Sequence, residues 1–135
     1  MADEKMFKLK VICPDRMFYE GEASMVELRT SEGEVGIYKN HIPMTMIVDP
    51  GILRIKEEQE TKEAAVHAGF IQILPEEITI LAEIAEWPDE IDINRAKEAK
   101  IRAERRLSSS DENINVLRAE VALKKSLVRL EISGK

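Results

Sequence analysis

Hydrophobic and polar positions change their rhythm about two thirds of the way along the chain. Near the start, Phe7, Leu9 and Val11 alternate with Lys8 and Lys10. That period of two marks a half-buried strand, because successive side chains point to opposite faces. Met25–Thr30 and Gly51–Lys56 predict two more strands, and the polar run Glu57–Lys62 predicts a hairpin-like connection into Ala64–Ala68. Phe70–Leu74 and Ile78–Leu81 flank Pro75-Glu76-Glu77, a turn led by proline. Short strands at this spacing predict an antiparallel β-sandwich or flattened barrel of roughly ten strands.

Trp87-Pro88-Asp89-Glu90 ends that rhythm, since proline lacks the amide a central strand requires. The module boundary falls here, giving a strand module over residues 1–87 and a helical module over residues 88–135, an α+β chain. Ala96, Ala99, Ala103 and Leu107 lie on one face of a first helix, with Asp92 in capping position. Ser108–Asp111 reads as a linker, with Asp111 or a neighbouring serine as the cap of the next helix. Val116, Ala119, Leu123, Leu127 and Leu130 then form a second stripe. Two amphipathic helices joined by so short a turn predict an antiparallel hairpin. Its facing residues are mostly alanine on the first helix, so it is expected to be marginal by itself and able to open.

Composition adds an asymmetry. Of the 135 residues 44% are hydrophobic, enough for a core, and no apolar run approaches a bilayer-spanning length. Met1–Ile91 carries 9 basic and 19 acidic residues, whereas Asp92–Lys135 carries 11 basic and 7 acidic. An acidic front joined to a basic tail predicts two modules with different partners. The opening MADEKMFKLK lacks the apolar stretch of a signal peptide, and the single Cys13 can form no internal disulfide. A reducing cytoplasm is the expectation, with Cys13 a small apolar filler at a strand end.

No catalytic constellation is present: His41, His67 and Cys13 fall in different segments, and no HExxH, CxxC, P-loop or serine-elbow pattern occurs. The chain is not expected to be an enzyme. His67 reads as a packed or half-exposed strand residue, and the pairs Glu57-Glu58 and Glu76-Glu77 read as solvated turns. The basic tail says more. Arg95, Arg102 and Arg106 share one face of the first helix, and Arg118, Lys125 and Arg129 repeat the spacing on the second. A cation in a helix's first turn opposes the dipole, unless an anion also sits beside the free amides there. Guanidinium forks suit phosphate oxygens, so two stripes folded side by side can converge on one anion. The competing reading is a solvated face with a Glu98–Arg102 salt bridge and Asp92 as a plain cap. Nucleic acid is not an expected partner, because the chain is acidic overall and its basic helices carry no aromatic residue.

Two segments resemble the epsilon subunit of bacterial F-type ATP synthases. One is EGEASMVELRTSEGEVGIYKNHIPM, Glu20–Met44, with Glu32-Gly33-Glu34, Gly36-Ile37 and His41-Ile42-Pro43 in the family's order. The other is GFIQILPEEITILAEIAEWPDEIDINRA, Gly69–Ala96. The resemblance implies a non-catalytic subunit of the rotating central stalk, on the cytoplasmic face of the cell membrane, coupling proton flow to ATP synthesis. Its sandwich would bind the gamma subunit and the c-ring, with Glu34 and His41 in the loop region facing the ring; the competing reading of Gly33 and Gly36 is that they only permit positive φ. Its hairpin would either fold on the sandwich or extend toward the catalytic alpha and beta subunits and inhibit ATP hydrolysis.

Some members of that family bind ATP in the folded hairpin, with IDxxRA as the associated pattern, and Ile91–Ala96 matches it. The resemblance implies Asp92 and Arg95 at the nucleotide, Glu86 on the adenine, and Arg102, Arg118 and Arg129 as further positive charge. Lys125 stands where such relatives carry arginine, which keeps the charge and loses the fork. ATP would be a regulatory ligand and no cofactor is required, with magnesium left open. The alternative keeps the fold and drops the ligand: a purely structural coupling module.

Overall fold

The computed structural model describes residues 5–109 and 114–134. Eight strands precede two helices: β1 Phe7–Cys13, β2 Arg16–Ala23, β3 Met25–Thr30, β4 Gly33–Tyr38, β5 Met44–Val48, β6 Gly51–Lys56, β7 Thr61–Ile73 and β8 Glu77–Glu86. A 3-10 turn at Pro88–Glu90 leads into α1 Ile93–Ser108, and α2 Val116–Ser133 follows. The alternation expected in β1 is present, with Phe7, Leu9, Val11 and Cys13 buried. Burial pushes the Cys13 thiol up, as suits an apolar filler.

The strands run in the order β2-β1-β8-β7-β5-β3-β4, while β6 bridges β3 and β7. The sheet therefore folds over on itself, closing a sandwich around Leu9, Val26, Ile37, Leu53, Ile55, Ile71 and Ile80. Not every pairing is antiparallel: β1 and β8 run parallel, Leu9 opposite Ile78 and Val11 opposite Ile80. A parallel pair needs a long crossover, and here the six intervening strands supply it.

The segments expected as separate strands at Ala64–Ala68 and Phe70–Leu74 form one strand, β7, which pairs with β6 through Thr61–Val66 and with β5 through Gly69–Ile73. Between the two stretches Ala68 and Gly69 adopt φ of 57° and 142°. A Cβ on Gly69 would stand 2.0 Å from the carbonyl oxygen of Leu81, so only glycine fits this crossing of strands. Gly33 likewise has positive φ, at 107°, in the β3–β4 turn; Gly36 does not.

The seam between the modules is bolted to β2. Trp87 stacks on Phe18 with ring centroids 4.3 Å apart and meets Tyr19 edge-on. Arg16 grips both carboxylate oxygens of Glu90 at 2.8 and 2.9 Å and the Ala85 carbonyl oxygen at 3.1 Å. Glu90 also accepts from the Trp87 amide at 2.8 Å.

Asp92 caps α1, its Oδ1 accepting from the Arg95 amide at 3.1 Å. The cap of α2 is Asn115, accepting from the Arg118 amide at 3.0 Å, and not a residue of the serine run; Asp111 lies outside the described residues. Asparagine caps as well as aspartate, so the helix starts nearer its apolar residues. The expected second stripe also shifts: Ala119, Ser126, Val128 and Ile132 are buried, while Val116 and Leu127 are exposed. The reason is that α2 has two neighbours, packing on α1 and on β6 and β7. Val128 and Ile132 join Ile52, Ala65 and Ile91 in a small second core. Ala96 and Ala103 are the buried residues of α1, and side chains that small let two helices approach closely.

Candidate functional site

Where α1 begins, α2 ends and β8 leaves the sandwich, the chain forms an open cavity of about 310 Å³. Its wall includes Glu86, Glu90, Asp92, Arg95, Arg102 and Arg129, floored by Ala96 and Ala99. The antiparallel hairpin causes this meeting: it brings the first turns of α1 beside the last turns of α2. The size falls at the lower end of the range for small-molecule pockets, about 300–1,000 Å³.

Three arginines and three carboxylates look balanced by count, but not by availability. Both Glu90 oxygens are taken by Arg16 and the Trp87 amide, which hold its carboxyl down at about 2. Asp92 is turned to the helix start as its cap. Glu86 Oε1 accepts from Arg129 Nε at 2.7 Å and from His67 Nε2 at 3.1 Å. Burial of Glu86 opposes its ionisation, yet the bonds from His67 and Arg129 outweigh burial and hold its carboxyl below the usual range. Arg95 and Arg102 are exposed, and no side-chain partner is formed for either among the described residues. The expected Glu98–Arg102 bridge is not made; the i,i+4 pair of α1 is Lys100–Glu104 at 3.8 Å. What remains is an excess of positive charge beside an amino-terminal helix turn, a setting that favours an anion.

Five of the residues singled out from sequence thus line one cavity: Glu86, Asp92, Arg95, Arg102 and Arg129. The rest of the stripes do not join them. Arg118 and Arg106 line a separate hollow of about 290 Å³ at the far end of the hairpin, and the half-buried Lys125 lines neither. Along a helix, 11 residues span about 16 Å, too far for both ends of a stripe to touch one small anion. Sequence reasoning missed two contributors. His67 is wholly buried and tied to Glu86, and Arg16 removes Glu90 from the cavity's charge. Both contacts join residues far apart in the chain, and no local pattern marks them. Glu57, read as solvated, is half-buried and accepts from the Tyr19 hydroxyl at 2.5 Å.

Glu34 and His41 lie elsewhere. Glu34 projects outward from β4 into a hollow with Arg29, Lys124 and Glu131. His41, in the β4–β5 connection, donates from Nδ1 to the Ile42 carbonyl at 2.8 Å and borders a different hollow with Met44 and Ile47. Across the outer face of the sheet, Ile47, Phe70 and Leu81 stand in register and exposed on β5, β7 and β8.

Comparison with known proteins gives a consistent picture. Residues 6–88 match the family "ATP synthase, Delta/Epsilon chain, beta-sandwich domain", and residues 89–134 match "ATP synthase, Delta/Epsilon chain, long alpha-helix domain". An ATP synthase epsilon chain of Caldanaerobacter subterraneus subsp. tengcongensis is 44% identical over 133 residues, 98% of this chain and 96% of that one. One of Halalkalibacterium halodurans is 42% identical over 128 residues, covering 94% and 96%. In the cryo-EM structure of the Euglena gracilis mitochondrial ATP synthase (OSCP/F1/c-ring, rotational state 1), one chain superposes with a TM-score of 0.83 at 23% identity. That match covers 96% of this chain and 82% of the other, and it speaks for the fold.

Proposed function

Since the chain belongs to the ATP synthase delta/epsilon family, we propose that it is a non-catalytic central-stalk subunit whose folded hairpin binds ATP, and whose released hairpin restrains ATP hydrolysis. The observation that carries the nucleotide reading is the cavity at the hairpin root, with Arg95 and Arg102 of α1 and Arg129 of α2 around it. A triphosphate held there takes charge-assisted bonds from Arg95 and Arg102 and sits by the amides that open α1, with the Arg129–Glu86 pair at its other end. On this reading the ligand is bound as a signal, read and not consumed.

A ligand bound by both helices and the end of β8 stabilises only the folded hairpin and shifts the population toward it. The magnitudes are matched. Among the described residues the hairpin rests on the sandwich through Val128 and Ile132 and one ion pair, Arg129–Glu86. Fully burying one such aliphatic side chain contributes about 1.5–3 kcal/mol. ATP at a hundred times its Kd adds about 2.7 kcal/mol, enough to decide which form prevails. In the released state the basic face of α2 is free to meet acidic segments of the alpha and beta subunits, an attraction that weakens with salt. The outward row Ile47, Phe70 and Leu81 offers the sandwich an apolar seat on the gamma subunit, and the resemblance assigns Glu34 and His41 to the c-ring. Such a subunit is peripheral on the cytoplasmic face of the membrane, and none of the described helices is long and apolar enough to cross it.

Calorimetric titration of ATP into the full chain tests the nucleotide reading. Saturable binding that weakens at least about tenfold in Arg95→Ala and in Arg102→Ala, but less than about twofold in Arg118→Ala, supports it. No binding to the wild-type chain at millimolar ATP refutes it. For the restraint, removing residues 92–135 raises hydrolysis in the assembled synthase; an unchanged rate sinks that half of the proposal.

A further inference from the structure

Behind the cavity wall lies a residue that the ATP reading leaves without a task. His67 of β7 is wholly buried, its Nε2–H donates to Glu86 Oε1 at 3.1 Å, and its Nδ1 has no partner among the described residues. The same Oε1 takes Arg129 Nε at 2.7 Å. Two donors from two different elements therefore meet on one oxygen. A carboxylate's terminal torsion is otherwise broad, so this double hold fixes its rotation. Without the histidine, the planar fork of Arg129 is free to take both oxygens of Glu86 side by side, the arrangement such pairs favour. With it, Oε1 is filled and Oε2 is left as an acceptor on the wall of the cavity. A carboxylate oxygen repels phosphate, so it suits the opposite end of a ligand, one that carries an N–H donor.

We propose that His67 is a positioning residue for base selection: by sharing Glu86 Oε1 with Arg129, it presents Oε2 to the amino group of the base of a bound nucleoside triphosphate. This assignment rests on the ATP reading above. The chemistry it names is specific. The cations of α1 take the phosphates of any triphosphate, and the held carboxylate favours one whose base bears an exocyclic amine.

The test compares ATP with purine riboside triphosphate, which lacks the 6-amino group, by calorimetry on the full chain. The wild type is expected to prefer ATP by about tenfold, the worth of one hydrogen bond to a charged group. His67→Leu should bring that preference near unity while changing the affinity for purine riboside triphosphate by less than about threefold, since the phosphate contacts remain. His67→Gln restores the preference, because its amide donates from near the place of Nε2. Should His67→Leu fail to fold, Glu86→Gln serves. With His67 and Arg129 both donating, the amide oxygen takes the place of Oε1 and the NH2 group faces the cavity, so the preference disappears at unchanged size. Equal affinities in the wild type, or a preference that survives in His67→Leu or in Glu86→Gln, overturn the assignment. Binding of neither ligand to the wild type is a separate outcome: it refutes the ATP reading, and the assignment falls with it.

Discussion

Ile132→Ala isolates the hold of the hairpin on the sandwich. Ile132 is buried near the end of α2 and, with Val128, meets Ile52, Ala65 and Ile91 in a cluster separate from the main core. The substitution removes three buried carbons, about 2.4 kcal/mol at roughly 0.8 kcal/mol per carbon. A residual hole would add to that, but the site lies at the rim and can collapse, which favours the lower end of the measured range of about 2–5 kcal/mol. Because this cluster and the Arg129–Glu86 pair carry the docking, the loss is expected to appear as opening of the hairpin and not as unfolding of the sandwich. At tenfold per 1.4 kcal/mol, the open population rises about fifty-fold. Native-state amide exchange reads this directly: α2 amides speed up by that factor while β1, β7 and β8 amides keep their rates. Leu117→Ala, at a position 71% exposed on the same helix, is the control and leaves both unchanged. If the strands accelerate together with α2, the two modules unfold as one and the reasoning is wrong; if α2 does not accelerate, the cluster is not what holds it.

Gly69→Ala should destabilise the sandwich by at least about 3 kcal/mol, from positive φ together with a Cβ driven onto the Leu81 carbonyl; denaturant unfolding checks this, and a change under 1 kcal/mol would show that the crossing relaxes. The Arg16–Glu90 clasp gives a pH signature. The folded carboxyl is depressed from 4.5 to about 2, so its contribution is complete above 4.5 and disappears as pH falls toward 2. The pair is partly exposed and screened by solvent, so the effect is small, and Arg16→Gln should reduce that acid-side loss in thermal melts while the Trp87 amide keeps the remainder. Asn115→Ala takes the cap from α2 and should cost about 1 kcal/mol, seen as faster amide exchange in its first turn.

Legibility followed locality. The strand β1 was readable because one of its faces is buried and the other wet, so Phe7, Leu9 and Val11 stand out against lysines. In β7 the run Ala64–His67 is buried on both faces, which erases alternation and hides the role of His67. Strands β2 and β4 are glycine-interrupted, and in the short β5 Met44, Met46, Ile47 and Val48 leave too little polar contrast for a period to show, although the motif segment ran through part of them. The parallel neighbours β1 and β8 are some seventy residues apart, beyond any local pattern. For the hairpin, a single-stripe reading placed α1 well and misplaced α2, since a helix with two partners buries a broader arc. The cavity was half legible: IDxxRA marks its α1 side, but the charge left available in it depends on Arg16, Glu90 and His67, which only the fold brings near.

The bolted seam at Trp87–Glu90 also fixes a mechanical quantity. Everything up to Glu90 is anchored to β2, and α1 is continuous from Ile93, so Ile91 and Asp92 are the whole of the pivot. A helix of 16 residues is a rigid arm about 24 Å long, and turning it by sixty degrees carries its tip through about its own length. In the release proposed above, two residues' worth of backbone rotation would be geared into a displacement on the scale of a small domain, with no strand of the sandwich obliged to move. Asp92 sits on the axle as the cap that keeps the arm stiff, so a substitution there that preserves every contact of the folded form can still change the reach of the open one.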